Sequence, residues 1–552
     1  MRFIAAGVLA LCAAVLIPPA VNAVSTSGAG AQRAASGPPE TKIEPPVTLV
    51  PDGIRFEKTL TDNGNHFYLF YRYQPSGSTD SVAAAAKYLA PSNVVTSTVL
   101  FPAGNDVLRM DANQIPNSNN FNVVAAVRPS GVANGIPQYG IYHGANRVFG
   151  PVTNLPAPTT FTGVRNVAID SGHDFVEEWG QGGIEAFIVA GNGTASGPIT
   201  ITTDPVTYTP TLEGGNGEPI YTLWTTTIAG KNVVRLGDYN PSTGTESPAQ
   251  NVSDPTKGAI ILPDMSVNPQ GQPSIVWTYN DYTVWGSFPG GGPVQLSTTG
   301  LYGFLPQVTN NPFDGSTFGV FEQGTILTNT TQAVRVPRGS GPGPVFQISA
   351  SNEEGSDGHP IYGSSGDLFV SYTQVISSTE ANVRLAFQPK NGTFQSPFSV
   401  PSLPGFAAFP EGTPNRVGDI LFNFEVFNSG SYDADQLFLF DESPPNLSIG
   451  AKKNVSLFLT CPDTEKSCSG TATATLSGRS VTAAQSATAA SVVGSASFKV
   501  RGGKSVKVKL KLTRAGKRLF AHHRSARVRV VASVKDAVGN TAVIKRSLTL
   551  KR

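Results

Sequence analysis

Cysteine is scarce. The 552 residues hold three, and one of them, Cys12, lies in the amino-terminal apolar run. That excludes a disulfide-framework scaffold and a cysteine-rich metal cluster. Histidine numbers six in the whole chain, which leaves little room for histidine-based catalysis or metal ligation. The short signatures of common enzyme chemistry are missing as well: Gly-x-Ser-x-Gly, His-Glu-x-x-His and Cys-x-x-Cys do not occur. Gly502-Gly503-Lys504-Ser505 matches half of a P-loop, but Phe498 stands where its first glycine is required. No stretch after the amino terminus is apolar enough to cross a bilayer, and helical periodicity is nearly absent.

What is present begins with an export signal. Met1-Arg2 gives a basic start, Phe3 to Ile17 is almost wholly apolar, and Val21-Asn22-Ala23 offers the small residues of a cleavage site. Residues 1–23 therefore read as a signal peptide and place the mature chain outside the cell or at its surface. Leu11 before Cys12 fits lipoprotein processing poorly. Residues 24–46 are a flexible Ser/Gly/Ala/Pro-rich lead-in. Export and two nearby cysteines, Cys461 and Cys468, predict one disulfide. The net charge of +2 hides an asymmetry: from Lys452 to Arg552 there are 21 Lys+Arg against 3 Asp+Glu. Two parts with different surfaces are expected.

Between them the sequence repeats. Eight segments share a turn followed by an apolar-rich strand, among them DNGNHFYLFYRY from Asp62, DSGHDFVEEW from Asp170, PQGQPSIVWTY from Pro269 and RVGDILFNFEVF from Arg416. The turns fall at 64, 119, 172, 217, 271, 315, 366 and 418, a period of about 51. Each segment continues through two further strands, and one strand precedes each turn. Four short antiparallel strands at this period predict a β-propeller over residues 47–443, eight-bladed, with seven blades as the alternative. The eighth unit lacks a fourth strand, while Val47-Thr-Leu-Val50 is a strand without a unit. Pairing the two would close the ring and remove its open edges.

The array resembles the bacterial secreted propellers that include sialidase-like repeat proteins. That family carries an Asp-box turn, Ser-x-Asp-x-Gly-x-Thr-Trp. The nearest stretches here, SVNPQGQPSIVW and AIDSGHDFVEEW, depart from it in spacing and residue type, so the resemblance implies the fold and no catalytic residues. Residues 446–552 hold six strand candidates and resemble the small immunoglobulin-like tails of exported bacterial proteins. The Cys461–Cys468 bridge would staple a hairpin there. In KSVKVKLKL, Val506, Val508, Leu510 and Leu512 alternate with Lys507, Lys509 and Lys511, giving a basic face suited to anionic wall polymer or simply to solubility. No aromatics interleave the lysines, so specific nucleic-acid recognition is not expected.

A ligand site is expected at a rim where loops converge. That rim would carry Arg72-Tyr73, Trp179, Tyr279, Asp281 and Tyr282, together with a loop SNEEGSDGHP holding Glu353, Glu354, Asp357 and His359. Aromatic rings stack on sugar C–H faces and acids take hydroxyls; the acidic loop could also hold Ca²⁺. The expected role is binding of glycan, protein or wall material, with a propeller-type glycoside hydrolase or lyase, or a purely structural surface protein, as alternatives. No resident cofactor or metal is implied. Glu177 and Glu178 look like an acid pair, but neighbours on a strand point to opposite faces. Glu178 aligns with Phe70, Ala125, Leu223, Trp277, Phe321, Tyr372 and Phe424, and so becomes a lone acid in a buried column. A bulge, or a structural pair with a neighbour such as Arg165, is one explanation; a functional acid is the other.

Overall fold

The computed structural model describes residues 47–552 except 52–53, 76–77, 90–92, 102–104, 130–134, 157–160, 216, 326–327, 402–404, 429–430, 442–444, 463 and 477–491. The expected export signal and lead-in fall outside the described residues. Contacts divide the rest into two compact bodies, one ending at Leu439 and the other running from Phe440 to Arg552. No helix among the described residues is long and apolar enough to cross a membrane.

The first body is a β-propeller. Its strands form antiparallel groups, four in each except the second, where the outer edge is split into two short strands, Val148–Phe149 and Thr153–Asn154; they are taken in chain order as units one to eight. Units seven and eight are additionally joined by one parallel pairing, Ala381 with Phe406. The unpaired strand finds its place: Val47–Pro51 pairs with Ser431–Phe440, the third strand of unit eight, with Val47 opposite Leu437 and Thr48 opposite Gln436. The last unit thus takes its fourth strand from the start of the chain.

The second strand of each unit is apolar because it is buried on both faces, which erases the usual alternation. In Phe67–Tyr73 every residue but the last is buried. Tyr68 and Phe70 leave unit one to pack on Phe121 and Tyr142 of unit two, with ring centroids 4.7 Å (Tyr68–Phe121) and 5.8 Å (Phe70–Tyr142) apart. Burying one such ring is worth about 1.5–3 kcal/mol. In units one, three, five, six and eight the turn ahead of the second strand is held by an Asp or Asn side chain. Asp62 Oδ1 accepts the Gly64 and His66 N–H groups, and Asn415 Oδ1 accepts those of Val417, Gly418 and Asp419. The recurring glycine follows from backbone conformation, since Gly271, Gly315 and Gly366 all have φ between 71° and 88°.

Hydrogen bonds tie each unit to the next all the way round. Lys58 Nζ donates to Asp111 (2.9 Å), whose other oxygen accepts Asn166 N–H (3.2 Å). Thr222 donates to Glu177, and Tyr221 reaches the Gly271 carbonyl (2.8 Å). Asn310 Nδ2 donates to the Ser266 carbonyl (2.7 Å), and Asp357 N–H to Glu322 (3.0 Å). Ser371 Oγ donates to the Pro410 carbonyl (3.0 Å), and Thr413 Oγ1 returns to the Thr59 carbonyl of unit one (3.1 Å). The ring is closed by that last bond as well as by the borrowed strand.

The second body holds two sheets. One contains Ser448–Lys452, Ser456–Thr460 and Ser505–Lys509; the other runs Lys511–Leu512, Val492–Arg501, Ser467–Leu476, Ser525–Lys535 and Thr541–Lys551. KSVKVKLKL therefore crosses from one sheet to the other. Lys507, Lys509 and Lys511 are exposed, while Val506, Val508, Leu510 and Leu512 pack on the core. Two expectations are corrected here. Arg514–His522 is an α-helix, capped by Thr513 Oγ1 accepting Gly516 N–H, within a module read as strands alone. The Cys461–Cys468 bond is present, but it joins strands that belong to different sheets and so links the sheets instead of stapling a hairpin. Its short loop should still constrain the unfolded chain. Cys461→Ser with Cys468→Ser is expected to lower the stability of this body by about 2–3 kcal/mol. Calorimetric scans of oxidised protein and double variant would register this; equal transitions would mean that the bond contributes nothing.

Candidate ligand site on the propeller rim

The innermost strand of each unit precedes the turn, and its residues decide what lies near the ring axis. Seven of these eight strands break register, at Phe56/Lys58, Val107/Arg109, Phe161/Gly163, Ile260/Asp264, Phe304/Gln307, Ser356/His359 and Ala408/Glu411. A bulge re-aims the residues beside it. Here it sets up a buried polar cluster: Lys58, Asp111, Arg165, Glu213 and Asp264 are all buried, each from a different unit. Their charges act on one another across the ring. Burial raises Glu213 well above the usual carboxylate range, while Lys58 and Arg165 oppose the rise. Burial pushes Asp264 up to about 7, and burial with repulsion from Glu425 and Asp264 pushes Glu411 up to about 8; Arg165 opposes both shifts. The sequence reading missed this cluster altogether.

Glu177 and Glu178 lie on His173–Gly180, both with no exposure. Glu177 is opposite Arg165, accepts a hydrogen bond from Thr222, and is raised to about 8 by burial. Glu178 is opposite Val164 and Glu185. Neither of its oxygens has a hydrogen bond, and burial with repulsion from Glu185 raises it to about 8. The expected partnership with Arg165 belongs to Glu177, not Glu178. The pairing of this strand with Gly183–Ala190 is continuous, while on its other side the register breaks between Phe161 and Gly163, next to the Val164 that faces Glu178.

Solvent-facing chemistry lies at the rim instead, on units five to seven. Tyr282 and Tyr302 are 41% and 43% exposed, with ring centroids 5.1 Å apart. Phe304 adds a third ring, 6.5 Å from Tyr282. Two non-adjacent turns are brought together here by the Gly303 N–H, which donates to the Tyr282 carbonyl at 2.7 Å. A Cβ at Gly303 would come within 2.9 Å of Val284. Tyr282 itself has φ 60°, a conformation that a bulky residue adopts at a cost of about 1–3 kcal/mol and that clusters at functional sites.

Acids adjoin the shelf. Phe304 is paired with Glu322, a buried carboxyl that accepts Asp357 N–H at 3.0 Å and Asn329 Nδ2 at 3.3 Å. Both Glu322 and Asp357 are raised, first by burial; repulsion from Asp357 adds to the rise of Glu322. Asp357 has φ 51° at the bulge of its strand, which turns it off the regular pleat. Beside it, Glu353 accepts Tyr372 Oη (2.8 Å) and pairs with Arg384 (2.8 Å).

The expected rim is therefore redrawn. SNEEGSDGHP is not a loop: Glu354–Tyr362 is the innermost strand of unit seven, and His359 is buried on it, held neutral by burial that lowers it to about 4. Glu354 is half-buried and raised by that burial. Trp179 and Tyr279 are core residues at 4% and 2% exposure. Tyr279 Oη accepts Asp254 N–H at 2.7 Å. Asp281 is exposed, and its Oδ1 is occupied by the Thr283 N–H and hydroxyl. Arg72 is buried against Glu57 and the Val107 carbonyl. Of the predicted set, Tyr282, Asp281, Glu353 and Asp357 fall in the shelf sector. Tyr302, Phe304 and Glu322 were missed; the run Leu301-Tyr302-Gly303-Phe304 at the entry of an inner strand was their only signal.

Fold and rim together define the class: a β-propeller joined to a small two-sheet body. No family model matches the chain, and no curated protein matches it significantly. Among solved structures it is similar to the Dos1 propeller, at 8% identity and TM-score 0.45, over 72% of this chain and 95% of that one. It is also similar to a PL25 ulvan lyase bound to -[GlcA(1-4)Rha3S]-, at 9% identity and TM-score 0.41, over 71% and 94%. The propeller domain of the trilobed protease from Pyrococcus furiosus aligns at 6% identity and TM-score 0.37, over 63% and 96%. These likenesses concern the fold alone.

Proposed function

We propose that this is an extracellular binding protein whose propeller takes glycan on the rim of units five to seven, with the basic second body as spacer or as contact to anionic wall polymer. The observation that carries the reading is the exposed Tyr282–Tyr302 pair, buttressed by Phe304 and flanked by carboxyls. Exposed aromatic groups rimmed by polar residues are unusual on a monomer without a partner. Ring faces bind the C–H surface of a pyranose, and the acids accept its hydroxyls.

The test is a glycan-array screen of the secreted chain, followed by titration of the best ligand. Tyr282→Ala and Tyr302→Ala are each expected to weaken binding about tenfold or more, the loss of ~1.4 kcal/mol typical of a contact-centre aromatic. Both side chains are exposed, so the thermal transition should hardly move. Unchanged affinity in both variants would overturn the rim assignment.

One observation favours a second reading, cleavage of the bound glycan. Glu322 and Asp357 are neighbouring carboxyls, and repulsion from Asp357 adds to the rise of Glu322, so that Glu322 holds its proton while Asp357 ionises, the condition of an acid/base pair. Incubating candidate polymers with the protein and following new reducing ends or unsaturated products decides it. Product that disappears in Glu322→Gln supports cleavage; no product from a ligand that binds leaves binding alone.

A further inference from the structure

Residues 452–552 contain only three acidic side chains against 21 basic ones. Two of the three, Glu465 and Asp536, are buried together with Asp441, at 3%, 5% and 5% exposure. One oxygen from each lies within 4.8 Å of the others. Surface repulsion would normally scatter like charges, and burial makes their proximity costlier still. A body this basic that sinks its few acids into one spot calls for a cation to hold them.

The local geometry prepares the oxygens. Asp536 sits in the turn between Ser525–Lys535 and Thr541–Lys551. Its Oδ1 accepts three backbone N–H groups, from Val538 (3.0 Å), Gly539 (2.6 Å) and Asn540 (2.8 Å). That fixes the carboxylate and leaves Oδ2 buried without a hydrogen bond. Asn540 Nδ2 in turn donates to the Asp441 carbonyl (2.9 Å) and to its Oδ1 (3.1 Å). Glu465 comes from the loop closed by the Cys461–Cys468 bond. Three segments remote in sequence thus present oxygen at one point.

We propose that this cluster is a Ca²⁺ site, with Asp441, Glu465 and Asp536 as its carboxylate ligands. The donors are all hard oxygens, and the only cysteines nearby are bonded to each other, which disfavours zinc. Three buried carboxylates suit the six to eight oxygens of Ca²⁺ better than the largely hydrated octahedron of Mg²⁺. The ion would pin the first residues after the propeller to the disulfide loop and to the last turn. This differs from the Ca²⁺ expectation drawn from SNEEGSDGHP, which lies in the propeller.

Full-length protein stripped with a chelator is titrated with CaCl₂, and separately with MgCl₂, by calorimetry and in thermal scans. Ca²⁺ is expected to bind at one site and to raise the transition of the second body by several degrees, with Mg²⁺ much weaker. Asp536→Asn keeps the Oδ1 that caps the turn and removes the charge, and it should weaken Ca²⁺ binding about tenfold or more. Glu465→Gln is the second variant and should do the same without touching that turn. No heat and no Ca²⁺-dependent shift in the parent protein would overturn the site. So would equal Ca²⁺ responses in parent and both variants, and Mg²⁺ binding as tight as Ca²⁺ would overturn the choice of ion.

Discussion

Arg165→Ala is expected to destabilise the propeller by about 3–5 kcal/mol above pH 8, and by much less near pH 5. Arg165 lies on the innermost strand of unit three, buried, opposite Glu177. Its charge holds down the protonation of Glu177, Glu213, Asp264 and Glu411, acids from four different units. Removing it leaves Lys58 as the cation acting on one of them, Glu213. They would answer by binding protons more tightly. A carboxyl whose folded pKa is raised above its unfolded value contributes stability that is full below the unfolded value and is lost as pH rises through the folded one. The penalty in the variant should therefore be small in acid and grow through neutrality as protons are forced off. Denaturant titration of the propeller transition at about pH 5 and about pH 8.5 measures both ends of this range. A loss that is the same at the two pH values would show that Arg165 acts through packing rather than charge.

The repeat was legible because its strongest signal and its strongest energy coincide. The second strands are buried on both faces, so they carry apolar-rich runs such as FYLFYR and ILFNFEVF, and most of the turns before them carry an Asp or Asn cap and a glycine. The borrowed closing strand was legible for the same reason, as an apolar run left without a unit. The innermost strands were not. They are bulged in seven of eight units, which breaks the period of two, and they are polar because their side chains bond from unit to unit. SNEEGSDGHP therefore read as a loop. Counted back from the turns at 64, 119, 172, 271, 315, 366 and 418, Lys58, Asp111, Arg165, Asp264, Gln307, His359 and Glu411 lie six to eight residues away, so the bulges scatter them over three columns and hide the cluster from an alignment on the turns. The short helix Arg514–His522 was lost for another reason: it buries only Gly516 and Phe520, too few for a helical stripe.

Glu178→Gln should stabilise the propeller at pH 8.5 by about 1–3 kcal/mol and have little effect below pH 4.5. Its sisters in the repeat are buried apolar residues, Phe70, Leu223 and Phe424 among them, and Glu178 is as buried as they are. Both carboxyl oxygens lack hydrogen bonds, and the group facing it across the strand pair is Glu185, a like charge. Burial first, and Glu185 second, raise it from 4.5 to about 8. The sign follows directly. The neutral acid is tolerated, so its contribution is complete below pH 4.5; stability is then lost as pH rises from 4.5 to about 8, because ionisation must occur in a dry site. Glutamine has the same shape and no charge, so the slope in that window should flatten. Glu178→Leu, the residue of unit four, should flatten it too and gain more from burial. If either variant keeps the slope, the acids of the axial cluster produce it and Glu178 does not. If the slope flattens and glycan affinity is unchanged, the glutamate is a structural cost carried by one unit of the ring. If affinity falls while stability rises, the stability is given up for function, which is the usual sign of a working acid.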